Sequence, residues 1–141
     1  MGTGDFSAWL SVPESIRVIG ALLSGGWLAV MQRNRALALA ARKILCDTLK
    51  ISPPCPDEMI GSLAAVPLPN MTAADIRRIA GDQDLLRLTL SREHNIEVPV
   101  VAWPAPPRRL LRVSAQLYNS LPQYERLAEV LKKSLHSRRS R

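Results

Sequence analysis

Two cysteines, two histidines and four lysines are the side chains of this 141-residue chain best suited to nucleophilic, acid–base or metal chemistry. Their spacing does not gather them. Cys46 and Cys55 form no CxxC pair and have no histidine cluster beside them, so neither a zinc site nor a disulfide framework is indicated. His94 falls at a helix end and His136 in the C-terminal tail, and no local motif marks a serine or cysteine as a nucleophile. No G-x-G-x-x-G and no phosphate loop occurs. Lys43, Lys50, Lys132 and Lys133 sit on predicted helices or at their ends, the ordinary place for a solvated lysine. Arg112, taken by pattern alone, is an arginine on the solvated side of a half-buried strand.

Charge is the other chemical signal. The net charge of +7 invites an anionic partner. Much of it lies at the end of the chain, in Lys132, Lys133, Arg138, Arg139 and Arg141, with no interleaved aromatics and no nucleic-acid motif. A solvated tail is expected there, and nucleic acid is not expected as a partner. Trp9, Trp27 and Trp103 are expected in a core or an interface rather than as a stacking platform.

The elements that must position these residues follow from periodicity and capping. Residues 1–10 read as an irregular lead-in. Ser11 and Glu14 have capping-box spacing, with Pro13 in the first turn, so a helix is predicted from Ser11 to a bend at Gly25-Gly26. A second helix should run from Trp27 to Lys50, with Leu37, Ala41, Ile44 and Leu45 inward and Gln32, Arg35 and Arg42 toward solvent. The apolar stretch from Val18 to Met31 is broken by Ser24, Gly25 and Gly26 and reads as a buried helix pair, not a membrane span.

A proline-rich loop over 51–57 precedes a strand over 61–68. Thr72 and Asp75 should cap a short helix, and 83–94 a second one. Strands are predicted over 96–102 and 110–117, separated by a turn at Pro104, Pro106 and Pro107. In the second of these strands Leu111, Val113, Ala115 and Leu117 share one face, and Arg112, Ser114 and Gln116 the other. Ser120 and Gln123 form another capping box, starting a helix striped with Tyr124, Leu127, Ala128, Leu131 and Leu135. The fold class is therefore α/β of the α+β kind: a small, mostly antiparallel sheet with helices on one face and a long N-terminal helix pair. The expected layout is a lead-in with two helices over 1–50, a small α/β domain over 51–136 and a basic tail over 137–141. Neither a basic start nor an early apolar run follows Met1, so no secretory leader is expected, and reduced cysteines point to the cytoplasm.

Motifs extend this reading. Residues 109–119, RLLRVSAQLYN, followed by LPQYERLAEVL, resemble the closing segment of class V aminotransferase-like enzymes, which depend on pyridoxal phosphate (PLP) and have fold type I. GTGDFSAWLS over 2–11, followed by VPESI, resembles that family's Gly-Thr segment ahead of its long interdomain helix. RNRALALAARKIL with PPCPDEMIGSLAAVPLP resembles the small domain of isopenicillin N epimerase-like members. The order of these motifs covers the chain up to its tail.

The resemblance implies specific roles. The arginine of R-x-S grips the substrate α-carboxylate in the family; here it is Arg112, whose guanidinium fork suits a carboxylate. The family's Gly-Thr pair reaches the cofactor phosphate of a partner subunit; here it is Gly2 and Thr3. The family's cofactor-holding lysine belongs to a large domain with no counterpart in this chain, and Lys43, Lys50, Lys132 and Lys133 stand in no matching context. Desulfurase members carry a cysteine just ahead of the R-x-S strand, and residues 97–107 contain none, so an epimerase, lyase or aminotransferase parent is implied. The implied protein is a C-terminal fragment acting on an amino acid only when a large domain and PLP come from elsewhere, inactive alone, and paired as a homo- or heterodimer. The alternative is a non-enzymatic dimerisation or interaction module derived from that domain.

Overall fold

The computed structural model describes residues 5–78 and 84–139. Eight regular elements appear in the predicted order, with one short 3-10 turn at Asp57–Met59 inside the proline-rich loop. They are α1 (Ser7–Ala21), α2 (Gly26–Leu49), β1 (Leu63–Leu68), α3 (Ala73–Arg78), α4 (Leu85–His94), β2 (Val100–Ala102), β3 (Arg109–Ser114) and α5 (Leu121–Arg139).

The three strands form one antiparallel sheet in the order β1-β3-β2, which makes β3 central. Alternation along β3 decides its two sides. Leu111 and Val113 are buried, while Arg112 and Ser114 are exposed. Ala64 and Val66 of β1 pair with Val113 and Leu111 and share the buried side. Leu45 of α2, Leu86 and Leu90 of α4, and Leu127 and Leu131 of α5 complete the core against it. The helices thus cover one face of the sheet, and the other stays open, as the period-2 pattern requires.

Capping explains several boundaries. Thr72 and Asp75 form a reciprocal box at the start of α3: each backbone N–H reaches the other's side-chain oxygen, at 3.1 and 3.0 Å. Gln123 accepts the Ser120 N–H at 3.0 Å and so starts α5. Asp84 caps α4, its carboxylate accepting the Leu86 N–H at 2.7 Å.

Several expectations need correction. The first helix begins at Ser7, not Ser11, because Asp5 Oδ1 accepts both the Ser7 N–H and its hydroxyl. Ser11 instead donates its hydroxyl to the Ala8 carbonyl within the helix. The expected buried helix pair is half right: α2 is a core helix, but α1 contains no buried residue, and Trp9 is 74% exposed. Trp103 is exposed as well, so neither tryptophan belongs to the core. Strand β2 shortens to three residues, since Asn95 takes a left-handed conformation and the Ile96 N–H turns back to the Leu90 carbonyl. Strand β3 stops at Ser114, because Gln116 and Asn119 close a turn. Helix α5 continues to Arg139, beyond the predicted start of the tail.

Arg42, expected in solvent, is buried instead. It forms an ion pair with Asp57 and donates to the Cys55 carbonyl at 2.9 Å. Arg35 is half-buried and donates to the carbonyls of Ile60 and Asp57 at 3.0 and 2.8 Å. The two arginines satisfy the backbone of the proline-rich loop, whose carbonyls have no ladder to join.

The bend between α1 and α2 is 77°. Gly26 has φ +62°, a conformation that glycine adopts without cost. A Cβ at Gly20 would lie 2.6 Å from Trp27 Nε1, so the indole seats on that bare backbone. Trp27 Nε1–H then donates to the Ile16 carbonyl at 3.1 Å. Among the described residues no single helix is long and apolar enough to cross a membrane.

Candidate functional site

The site is built around Arg112. Its strand is held on both sides: Arg112 pairs with Ala65 of β1, and its N–H donates to the Pro99 carbonyl at 3.0 Å. The neighbours Leu111 and Val113 are locked in the core. The side chain points to the open side and lines a cleft of about 430 Å³ with Asn95, Glu97, Tyr118, Asn119 and Arg126.

Three other arginines are committed to partners. Arg109, on the buried side of the same strand, chelates Asp84 through Nη1 at 3.0 and 2.9 Å and donates Nε–H to the Pro69 carbonyl at 2.9 Å. Arg42 is spent on Asp57 and Cys55. Arg126, inside the cleft, donates to the His94 carbonyl at 3.0 Å. The Arg112 guanidinium has no hydrogen-bond or ion-pair partner among the described residues. It is a cation on a rigid strand with all five of its donors available.

The turn after β3 shapes the rim. Asn119 Oδ1 accepts the Gln116 N–H at 3.0 Å, and Asn119 donates to Gln123 Oε1 at 3.2 Å. Tyr124 fixes the end of the strand by donating its hydroxyl to the Ser114 carbonyl at 2.6 Å. Burial raises the Tyr124 phenol above its ordinary value, with a smaller push from Tyr118, so it stays a neutral donor. The Y-N pair of the motif divides here: Asn119 builds the turn, whereas Tyr118 is exposed at the cleft.

Of the residues given a binding role from the sequence, Arg112 lies in this cleft. Gly2 and Thr3 lie outside the described residues. His94 contributes its carbonyl to Arg126, and His136 donates Nδ1–H to the Lys132 carbonyl at 2.7 Å, far along α5. Both cysteines are free thiols. Burial pushes the Cys46 thiol up, with a smaller downward pull from Arg42 and a further upward push from Asp47, which disfavours the thiolate. Glu97, Asn95 and Arg126 were not foreseen. Glu97 follows a helix stop at Asn95 by two residues, and that stop is the feature that turns 95–99 along the edge of β3.

Any cofactor that forms a bond to a lysine amine needs that amine in the cleft. Lys43 is ion-paired to Asp47 at 2.7 Å, and Lys50 and Lys132 border a separate cavity beside Pro69. Among the described residues no lysine lines the Arg112 cleft. Among the described residues the cleft offers a guanidinium to an anionic group and no amine to a covalently held cofactor.

This fold and site define a class: a small α+β domain that presents one free arginine on the open face of a short antiparallel sheet. Comparison with known proteins sharpens it. The chain is 36% identical over 133 residues to isopenicillin N epimerase of Amycolatopsis lactamdurans, covering 93% of this chain and 30% of that protein. It is also 36% identical over 135 residues to isopenicillin N epimerase of Streptomyces clavuligerus, covering 92% and 30%. It is 28% identical over 152 residues to putative L-cysteine desulfhydrase 1 of Oryza sativa subsp. japonica, covering 94% and 30%. No family model matches the chain. The chain is therefore homologous to a segment of isopenicillin N epimerases and L-cysteine desulfhydrases and spans about 30% of their length. These homologues bear out the resemblance seen in the motifs.

Proposed function

We propose that this chain is the substrate-carboxylate-binding part of a PLP-dependent enzyme of the class V aminotransferase type, acting on an amino acid as an epimerase, lyase or aminotransferase. The observation that carries the reading is the Arg112 guanidinium on the central strand, without a partner among the described residues and lining a cleft that no described lysine lines. Arg112 would take the α-carboxylate in a two-pronged hydrogen bond, and the rigid strand would fix the rest of the amino acid over the open sheet face. Gly2 and Thr3 would approach the cofactor phosphate of a partner subunit.

On this reading the catalytic amine and the cofactor belong to another polypeptide segment, and the chain alone is inactive. Its free thiols suit a cytoplasmic setting. A neutral amide or hydroxyl in place of Arg112 would leave the substrate carboxylate unpaired.

Two measurements test it. In the isolated chain, one charge-assisted contact should give a dissociation constant on the order of 10–100 mM for L-alanine. The Arg112 Nε–H and the backbone amides of Tyr118 and Asn119 should shift during that titration, and Arg112→Met should abolish the amide response at matched ionic strength. A response that survives in Arg112→Met refutes the assignment. Turnover of an amino acid by the isolated chain with added PLP refutes the division of labour between segments.

A further inference from the structure

The cleft contains a second guanidinium, and binding one α-carboxylate on Arg112 leaves most of its donors unused. Arg112 enters the cleft from β3. Arg126 enters it from the start of α5, where Gln123, Arg126 and Leu127 follow one helix face at i, i+3 and i+4. Arg126 is exposed, and its Nη2 donates to the His94 carbonyl at 3.0 Å. That contact with the last residue of α4 holds the guanidinium in place and leaves Nε and Nη1 without a partner among the described residues. Gln123 adds a donor on the same helix face. Its Oε1 already accepts from the Ser120 N–H at 3.0 Å and from Asn119 Nδ2 at 3.2 Å, which fixes the amide and leaves Nε2 for a ligand.

The charges of the lining narrow the choice of ligand. Two arginines and one acid, Glu97, line the cleft. Glu97 accepts the Ser91 hydroxyl at 3.3 Å and pairs with neither arginine among the described residues. Both guanidiniums therefore face the same space unneutralised, and a ligand with two negative groups relieves their mutual repulsion where a ligand with one does not. Ile96, Val98 and Leu127 give the cleft apolar walls that suit methylene groups. A volume of about 430 Å³ with such walls and a few convergent polar groups is the make-up of a small-molecule site.

We propose that the cleft takes two carboxylates of one ligand, the α-carboxylate on Arg112 and a side-chain carboxylate on Arg126, so that the amino acid it selects is a dicarboxylic one of the glutamate type. Arg126 is the specificity residue. A side-chain carboxylate accepts from its free Nε and Nη1 as a charge-assisted pair, whereas a neutral amide of the same shape gains the hydrogen bond without the ion pair. The inference rests on the reading of Arg112 as the α-carboxylate site and names the side-chain class which that reading leaves open. The contact of Arg126 with the end of α4 is a separate, structural role, and it has no bearing on which amino acid is preferred.

Amide shifts of Tyr118 and Asn119 in the full 141-residue chain test it, titrated in parallel with L-alanine, L-glutamine and L-glutamate at constant pH and ionic strength. L-Glutamine matches L-glutamate in shape and lacks only the charge. The wild type should bind L-glutamate about 5-fold more tightly than L-glutamine, the upper end for an exposed ion pair. Arg126→Met should erase that preference and leave the response to L-alanine within about 2-fold of wild type. Arg126→Gln keeps a donor for the His94 carbonyl, removes the charge and should behave in the same way, so it carries the test if the methionine variant does not fold. A wild type that responds to L-alanine but binds L-glutamate no more tightly than L-glutamine overturns this proposal and leaves the Arg112 reading standing. A glutamate preference that survives in Arg126→Gln does the same. Silence with all three amino acids overturns both.

Discussion

Removing the carboxylate of Asp84 should destabilise this domain more than any other single charge deletion on its surface or in its core. Asp84 and Arg109 are each 3% exposed at the side chain, and the pair joins the start of α4 to the first residue of β3. In Asp84→Ala the Arg109 guanidinium keeps only the Pro69 carbonyl and becomes an uncompensated buried cation. Breaking one partner of such a pair costs about 3–5 kcal/mol, of which the lost cap on Leu86 accounts for about 1 kcal/mol. Unfolding entropy of about 2.1 cal/mol/K per residue gives ~0.3 kcal/mol/K for this chain, so the melting temperature should fall by about 10–17 °C. Circular dichroism melts measure it directly. The double variant Asp84→Leu/Arg109→Met removes both charges and should recover most of the loss, within about 2 kcal/mol of wild type. A fall of less than about 4 °C in Asp84→Ala, or a double variant less stable than the single one, would refute the reasoning.

Two further outcomes follow from the helix pair. Gly20→Ala puts a methyl group into the Trp27 ring, so it should expel the indole, shift tryptophan emission to the red and leave the core melt within about 1 kcal/mol. The second concerns acid. Hydrogen bonds from Ser7 hold the Asp5 carboxyl below its ordinary 3.8, and the Arg17 guanidinium holds Glu14 below 4.5. Both are depressed in the folded helix, so their support of α1 is complete above those ordinary values and disappears as pH falls through the lower folded ones. Helicity measured by circular dichroism should drop between pH 4 and the acid limit in wild type, and less so in Asp5→Asn/Glu14→Gln, whose α1 is already weakened at neutral pH.

Much of the fold was legible because it rests on local signals. Periodicity marked α2, β3 and α5, composition marked β1 and β2, and Thr72 with Asp75 and Ser120 with Gln123 acted as the capping residues their spacing suggested. What local patterns missed was long-range pairing. Arg42 falls at a plausible solvent position on α2, and only the fold of the proline-rich loop brings Asp57 and the Cys55 carbonyl to it. Arg109 carried a signal that pattern reading could have used: it is in phase with Leu111 and Val113, so it had to be buried and had to find an acid. Arg112 was legible as exposed from alternation alone. Its lack of a partner among the described residues, and the wall made by 95–99, arise only in the folded arrangement.

The alternation in β3 separates two inheritances within six residues. Arg109, Leu111 and Val113 belong to the interior, and Leu110, Arg112 and Ser114 to the outward surface, so substitutions in the second set can change what is bound without disturbing what is folded. Insertions and deletions have no such freedom. Losing one residue between 109 and 114 would exchange the two sets, sending a guanidinium inward and a leucine outward in a single step. Lineages of this domain can therefore drift in ligand preference by point mutation, while length changes should accumulate only in the loops.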